Sequence, residues 1–250
     1  MKIAGFIKES FIDYPGKMAS IIFTAGCNYS CPSCHAKKIV NPENYIEESA
    51  VIDYIKKRKN FIKGLVICGG EPTKQWGLEN FLEEVKQELG LPVKLDTNGS
   101  NYVKINSLIE KNLVDYIAMD VKGPLSIYRL LAGVSVDRRD GLMKGISMVS
   151  QAKDYEFRTT ICPVIREKGE INFMTPEEIE ETAKMIYEYS GGESNHKYFL
   201  QKFVARSKEE MIDERLAKEN LPAELQETPQ ELLIEMQKRA VKILPNCKIR

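Results

Sequence analysis

The chain has no surplus of charge of either sign: 36 Lys and Arg balance 36 Asp and Glu over 250 residues. That balance leaves no basic field for nucleic acid and no overall charge to favour a membrane surface. No apolar run approaches the roughly 20 residues a membrane-crossing helix needs. No linker, internal repeat or low-complexity tract divides the sequence, so one domain over residues 1–250 with a single sizeable core is expected. Six cysteines are too sparse for a disulfide scaffold, and no signal peptide is read at the start, which points to a reducing, cytoplasmic setting. The two histidines, His35 and His196, are assigned no catalytic role.

The cysteines that are present are unevenly placed. Cys27, Cys31 and Cys34 fall within eight residues, in Ala25-Gly26-Cys27-Asn28-Tyr29-Ser30-Cys31-Pro32-Ser33-Cys34-His35. A structural zinc site wants four ligands, usually as two separated pairs, and no second pair exists. His35 directly follows Cys34, so both side chains reaching one small ion is awkward. An iron–sulfur cube normally takes four protein ligands; three would leave one iron open to a molecule that is not protein. By spacing alone, zinc and iron–sulfur both stand. Cys68 and Cys162 sit inside strand patterns and read as small buried hydrophobes, and Cys247 lies in the tail after Pro245.

Short apolar runs alternate with helical stretches, the pattern of βα units closing a parallel sheet. Strands are predicted near Ala19-Phe23, Leu65-Cys68, Val93-Thr97, Tyr116-Val121, Phe157-Ile161 and Lys197-Phe203, with helices near Ile46-Arg58, Asn80-Leu89, Val103-Lys111, Arg139-Lys153 and Pro176-Tyr189. Thr175-Pro176-Glu177-Glu178 and Thr228-Pro229-Gln230-Glu231 each offer an N-cap threonine, Pro at N1 and Glu at N3. The expected architecture is α/β, an incomplete (β/α)6 TIM-like barrel over 19–205. An N-terminal hairpin extension over 1–18 turns at Tyr14-Pro15-Gly16, and a helical C-terminal extension over 206–250 includes a helix from Pro229 to Leu244. The charged stretch from Lys208 to Glu219 is read as a solvated face.

Alternation puts Ala118, Asp120 and Lys122 on one face of the fourth strand and Ile117, Met119 and Val121 on the other. The charged face runs toward the strand's C-terminal end, where barrel enzymes place their chemistry. Asp120 and Lys122 can simply pair with each other. Asp96 stands at similar height on the neighbouring strand, and two carboxylates facing one pocket repel unless a positive charge lies between them. A monovalent cation held by Asp96, Thr97, the Ala118 carbonyl and Asp120 is one candidate; a plain turn at Asn98-Gly99 is the other. Arg158 shares a face with Glu156 and can pair with it. Gln201 shares one with Phe199 and Phe203, which are read as core.

Cys68-Gly69-Gly70-Glu71-Pro72 follows the apolar run Gly64-Leu65-Val66-Ile67. Two glycines at the end of a buried strand let a backbone edge approach a ligand closely. Together with the cysteine loop, this motif makes the chain resemble the radical S-adenosylmethionine (SAM) superfamily. Within that superfamily the chain resembles the glycyl-radical-enzyme activating proteins, through Asp13-Tyr14-Pro15-Gly16, Asp96-Thr97-Asn98-Gly99, Asp120-Val121-Lys122, and Arg158 ahead of Cys162-Pro163. It is most similar to the long-form anaerobic ribonucleoside-triphosphate reductase activating proteins.

The resemblance implies one [4Fe-4S] cluster on Cys27, Cys31 and Cys34 with one open iron, and SAM chelated there by its amino and carboxylate groups. SAM would be contacted by the Ser33 backbone, Gly69, Gly70, Glu71, Pro72, Asp96, Asn98, Lys122, Arg158 and Gln201. Ser33 occupies a position that is often aromatic in the superfamily. Gly69 lies only 35 positions after Cys34, so no ferredoxin-like insert is expected. The implied activity is reductive cleavage of SAM to methionine and a 5′-deoxyadenosyl radical, which takes a hydrogen atom from a glycine of the partner reductase; flavodoxin or ferredoxin would supply the electron. Activation of a pyruvate formate-lyase type enzyme, or small-molecule chemistry of the 7-carboxy-7-deazaguanine synthase type, would keep the same motifs. A noncatalytic zinc or electron-carrier module is the reading from a different class.

Overall fold

The computed structural model describes residues 1–134 and 139–250. Six parallel strands form the frame: β2 (Lys17–Thr24), β3 (Gly64–Gly69), β4 (Val93–Thr97), β5 (Tyr116–Asp120), β6 (Tyr155–Ile161) and β9 (Tyr198–Lys202). They pair in that order. Two further strands extend the sheet at its ends, β1 (Ile3–Tyr14) antiparallel to β2 and β10 (Cys247–Ile249) parallel to β9. The result is an open, unclosed barrel of eight strands in the order β1-β2-β3-β4-β5-β6-β9-β10. A small hairpin, β7 (Pro163–Ile165) with β8 (Ile171–Phe173), stands apart.

The crossovers are helical, as the pattern predicts: α2 (Glu48–Lys57), α3 (Leu78–Glu84) running into a π turn over Val85–Leu89, α4 (Tyr102–Glu110), α6 (Arg139–Val149), α7 (Pro176–Tyr189) and α8 (Gln230–Ala240). Two short helices, α1 (Lys37–Val40) and α5 (Tyr128–Ala132), lie in loops. α7 begins where its sequence signal lies: Thr175 accepts from the Glu178 N–H at 3.2 Å and Glu178 accepts from the Thr175 N–H at 2.8 Å. Its buried stripe of Ile179, Thr182, Ala183 and Ile186 follows the helical repeat, and full burial of each isoleucine contributes about 1.5–3 kcal/mol. No helix among the described residues is long and apolar enough to cross a membrane.

Four expectations are corrected here. The N-terminal hairpin is not confined to 1–18, because the partner of β1 is the first barrel strand itself; the chain reverses between Tyr14 and Lys17 with Gly16 at φ 70°. The C-terminal extension is not purely helical, since Cys247 is buried in β10, a strand on the sheet edge. Thr228 does not cap α8, whose N-cap is Pro229. Its hydroxyl instead donates to the Ile161 carbonyl at 2.7 Å and accepts from the Phe203 N–H at 2.8 Å. Lastly, Lys208 to Glu219 is a solvated face only in part: Lys208, Glu209, Glu214, Arg215, Lys218 and Glu219 are exposed as expected, but the stretch forms turns and a short 3-10 helix that buries Met211, Leu216 and Ala217.

Alternation along the strands sorts the side chains into two environments. Outward-facing Ile67, Leu95, Ile117, Phe157 and Leu200 pack beneath the helices. Inward-facing Tyr14, Ala19, Ile21, Val66, Tyr116 and Ala118 form an apolar floor. Charged groups stand above that floor, toward the C-terminal ends of the strands.

Candidate functional site

The cysteine loop leaves β2 at the C-terminal mouth of the sheet and is held from three sides. From β3, the Gly70 N–H donates to the Thr24 carbonyl at 2.8 Å and the Glu71 N–H to the Gly26 carbonyl at 2.9 Å, while Gln75 donates to the Ala25 carbonyl at 2.7 Å. The two glycines are required by this approach. A Cβ on Gly70 would lie 1.9 Å from the Gly26 oxygen, and one on Gly69, at φ 111°, would lie 2.4 Å from the Thr24 nitrogen. From α5, the Ala132 carbonyl accepts the Ser30 N–H at 3.1 Å and the Cys31 thiol at 3.6 Å. From the far end of the chain, the Ile212 N–H donates to the Cys34 carbonyl at 2.8 Å and the Glu210 carbonyl accepts from the Lys37 N–H at 3.1 Å.

Within the loop, backbone N–H groups of Tyr29 and Ala36 donate to the Cys27 and Cys34 sulfurs, each at 3.4 Å. Burial pushes the Cys27 thiol above its ordinary range and the Cys31 thiol up to about 12. As free thiols these two hold their protons at neutral pH, and a strongly charged cationic centre must displace them. Among the described residues no three of Cys, His, Asp and Glu stand close enough to hold a single metal ion. Three mutually interacting cysteines with amide donors on two of the sulfurs fit a thiolate-ligated cluster.

Glu71 and Pro72, expected to meet a cofactor, are instead buried. The Glu71 carboxylate, 1% exposed, is a clamp: one oxygen accepts from the Thr73 N–H at 3.0 Å, the Thr73 hydroxyl at 2.6 Å and the Thr97 hydroxyl at 2.7 Å. The other accepts from the Asn98 N–H at 2.7 Å. Burial still pushes this carboxyl up, against the pull of those donors. Asn98 is likewise engaged, donating to Asn28 at 2.9 Å, and Asn28 donates to Ser100 at 2.7 Å. These bonds tie the cysteine loop to the end of β4. Gly99 takes a left-handed φ of 75° there, which favours glycine, and a Cβ would push the Met119 methyl aside from 2.1 Å.

The charged layer is dominated by Arg158. Its guanidinium lies between the two carboxylates, 2.9 Å from Asp120 and 3.0 Å from Asp96, with Glu156 at 3.9 Å. The positive charge that Asp96 and Asp120 require is thus supplied by a side chain, in the place expected for a monovalent cation. The Thr97 hydroxyl is engaged with Glu71 on the opposite face, and the Ala118 side chain belongs to the apolar floor. Asp96 also pairs with buried Lys94. Burial alone would raise the Asp120 carboxyl, but Arg158 and Lys122 outweigh it and hold it well below the usual carboxylate range. Lys122 bonds Asp120 at 3.0 Å with its side chain 28% exposed. Burial alone would lower the Lys122 pKa, but Asp120 outweighs it, so the ammonium holds its proton well above the ordinary lysine range.

Deeper in, Glu156, 1% exposed, accepts from Arg250 at 2.9 and 3.2 Å and from Tyr116 at 2.7 Å, while Arg250 lies 3.9 Å over the Phe199 ring. Phe199 is therefore an interior side chain under Arg250 rather than plain core, whereas Phe203 is buried as expected. Gln201 pairs in register with Thr160 and is half-buried, as is Ser33 in the loop. Lys94, Asn28, Tyr29 and α5 escaped the sequence reading. The Gly133 that ends α5 at φ 61° is a legible helix stop, but nothing local tells where that helix packs.

Residues 21–167 match the radical SAM superfamily. A Methanocaldococcus jannaschii protein named as a glycyl-radical enzyme activating enzyme is 31% identical over 99% of this chain and 95% of its own length. A 7-carboxy-7-deazaguanine synthase of Clostridium acetobutylicum is 29% identical over 44% of this chain and 49% of its own. The crystal structure of Streptococcus suis SuiB bound to its precursor peptide SuiA superposes with a TM-score of 0.58 at 16% identity, covering 77% of this chain and 40% of that one, a likeness of fold.

Proposed function

This chain belongs to the radical SAM superfamily, among its glycyl-radical-enzyme activating members, and from that premise we propose that it installs the glycyl radical of an anaerobic ribonucleoside-triphosphate reductase. The observation that supports the site assignment is the loop of Cys27, Cys31 and Cys34 held at the open mouth of the sheet by the Gly69–Gly70 backbone edge, where neither glycine has room for a Cβ. When bound, the [4Fe-4S] cluster and SAM supply the one-electron chemistry that removes a hydrogen atom, and the protein supplies position and field.

Cys27, Cys31 and Cys34 hold the cluster. Lys122, pinned by Asp120 yet partly exposed, receives the SAM carboxylate. Gly69 and Gly70, with no side chains in the way, present a backbone edge to the SAM amino acid, and Ser33 offers its backbone. Arg158, already committed to Asp96 and Asp120, fixes the depth of the pocket. Gln201 offers its amide to the nucleoside. Glu71 and Asn98 act by holding the loop rather than by touching SAM. No imidazole is needed, because a hydrogen atom rather than a proton is moved. Flavodoxin or ferredoxin is the proposed reductant and the cytoplasm the proposed setting.

The test is anaerobic mixing of the cluster-loaded protein, SAM and reductant with candidate partners, watched by electron paramagnetic resonance (EPR). A glycyl doublet on the ribonucleotide reductase supports the proposal. A doublet only on a pyruvate formate-lyase type enzyme moves the partner. SAM-dependent turnover of a small molecule with no doublet on any protein would favour the 7-carboxy-7-deazaguanine synthase reading, which the partial match to such enzymes keeps in view.

A further inference from the structure

The chain has one tryptophan, Trp76, and it is 99% exposed. A single apolar side chain in solvent is ordinary. Trp76 is neither isolated nor on a loose loop. It stands in the turn that leaves β3 at the C-terminal mouth of the sheet, just after the Gly69 to Glu71 segment that holds the cysteine loop.

The backbone around it is fixed. Pro72–Lys74 form a 3-10 turn, and the Gln75 N–H donates to the Pro72 carbonyl at 2.9 Å. The buried Gln75 side chain donates to the Ala25 carbonyl at 2.7 Å and accepts from the Lys2 N–H at 2.9 Å. Beyond Trp76, a Cβ on Gly77 would lie 3.0 Å from the Met1 nitrogen. The Lys74 ammonium donates to the Cys27 carbonyl at 3.3 Å, at the edge of the metal-binding loop. A second exposed aromatic adjoins the same N-terminal segment: the Lys2 ammonium lies 5.5 Å over the ring of Tyr45, which is 52% exposed. Lys2 and Lys74 are themselves exposed, and neither forms an ion pair among the described residues. Phe11 and Phe61, also exposed, lie at the opposite end of the strands, where β1 turns into β2 and the chain enters β3.

We propose that Trp76 and Tyr45 are the docking surface for the glycyl radical enzyme, with Trp76 as the anchor that enters an apolar pocket of that partner and Lys2 and Lys74 meeting carboxylates beside the pocket. The inference rests on the reading of the chain as an activating enzyme. Such an enzyme must bring a residue of another protein to the cluster, so the rim beside Cys27 is covered by that protein whenever the radical is made. Tryptophan and tyrosine are the side chains that most often dominate binding energy at interfaces. A backbone already locked to Ala25, Lys2 and Met1 loses little freedom when the ring is buried, which leaves more of the contact energy for binding.

The test uses the full cluster-loaded chain, SAM and dithionite, with the glycyl radical enzyme on which the wild type raises its EPR doublet. In Trp76→Ala the partner concentration that half-saturates doublet formation should rise about thirtyfold, while SAM cleavage without partner stays as in the wild type. Trp76→Phe should recover part of the loss, and Phe61→Ala, at the far end of the strands, should match the wild type. Half-saturation should also rise with salt, as exposed charges at an interface require. With one tryptophan in the chain, labelling with 5-fluorotryptophan gives a single fluorine resonance, and unlabelled partner should shift it. A Trp76→Ala value within about threefold of wild type, an unmoved resonance or docking indifferent to salt would overturn the inference. So would a defect seen only when flavodoxin replaces dithionite, which would give Trp76 to the reductant. A wild type that cleaves SAM yet raises no doublet on any glycyl radical enzyme would sink the activase reading and this surface with it. A normal doublet with unaffected variants would sink the surface alone.

Discussion

Replacing Glu71 separates a residue that holds the cysteine loop from one that binds a cofactor. In Glu71→Ala the Thr73 and Asn98 N–H groups, now 3.0 and 2.7 Å from carboxylate oxygens, lose their acceptor inside the protein. Each orphaned donor costs about 1–3 kcal/mol, so the variant should lose about 2–6 kcal/mol, a large part of the roughly 5–15 kcal/mol that a domain has. The Thr73 and Thr97 hydroxyls can rotate, so they add less. Glu71→Gln keeps one oxygen for the three bonds on that side but can turn an amide nitrogen toward the Asn98 N–H, donor against donor, and should lose about 1–3 kcal/mol. The assay is urea denaturation of cluster-free, SAM-free protein under reducing conditions, where a cofactor ligand would have no effect. Stability in the order wild type, Gln, Ala is the expected outcome. An Ala variant within about 1 kcal/mol of wild type would refute the clamp.

Arg158→Ala leaves Asp96 and Asp120 facing each other without the guanidinium, and thermal denaturation should register a loss of about 3–5 kcal/mol. Arg158→Lys should recover only part of it, because one ammonium cannot fork to both carboxylates, and full recovery would contradict the bridging role. Cys31 gives a pH signature in cluster-free protein. Its thiol holds the proton more tightly folded than unfolded, so that stabilisation is complete below about 8.5 and lost as pH rises toward about 12. Urea midpoints should therefore fall above pH 9, less steeply in Cys31→Ala, and equal slopes in the two proteins would remove the burial argument.

Much of the frame was legible because it depends on local periodicity. The helix over Pro176–Tyr189 and the strand over Val93–Thr97 have the limits expected of them, since capping chemistry and period-2 alternation act within a few residues. The second capping pattern misled: Thr228 found acceptor and donor on Ile161 and Phe203, and a tertiary bond to a sheet outweighed a local cap. The hairpin was legible as a turn but not in its partner, because pairing is a property of two segments.

What the sequence determined alone is the chemistry on offer: three cysteines at fixed spacing, glycines where a backbone must pass closely, and charges aligned along one face of a strand. Only the tertiary structure decided which charge meets which. Arg158 reaches across 38 residues to Asp120 and 62 to Asp96, and Arg250 across 94 to Glu156. Glu71 became a clamp because the turn after β4 closed over it. The physical reason is range: propensity and alternation are set by neighbours along the chain, whereas burial and ion pairing are set by whichever segments the sheet order brings together.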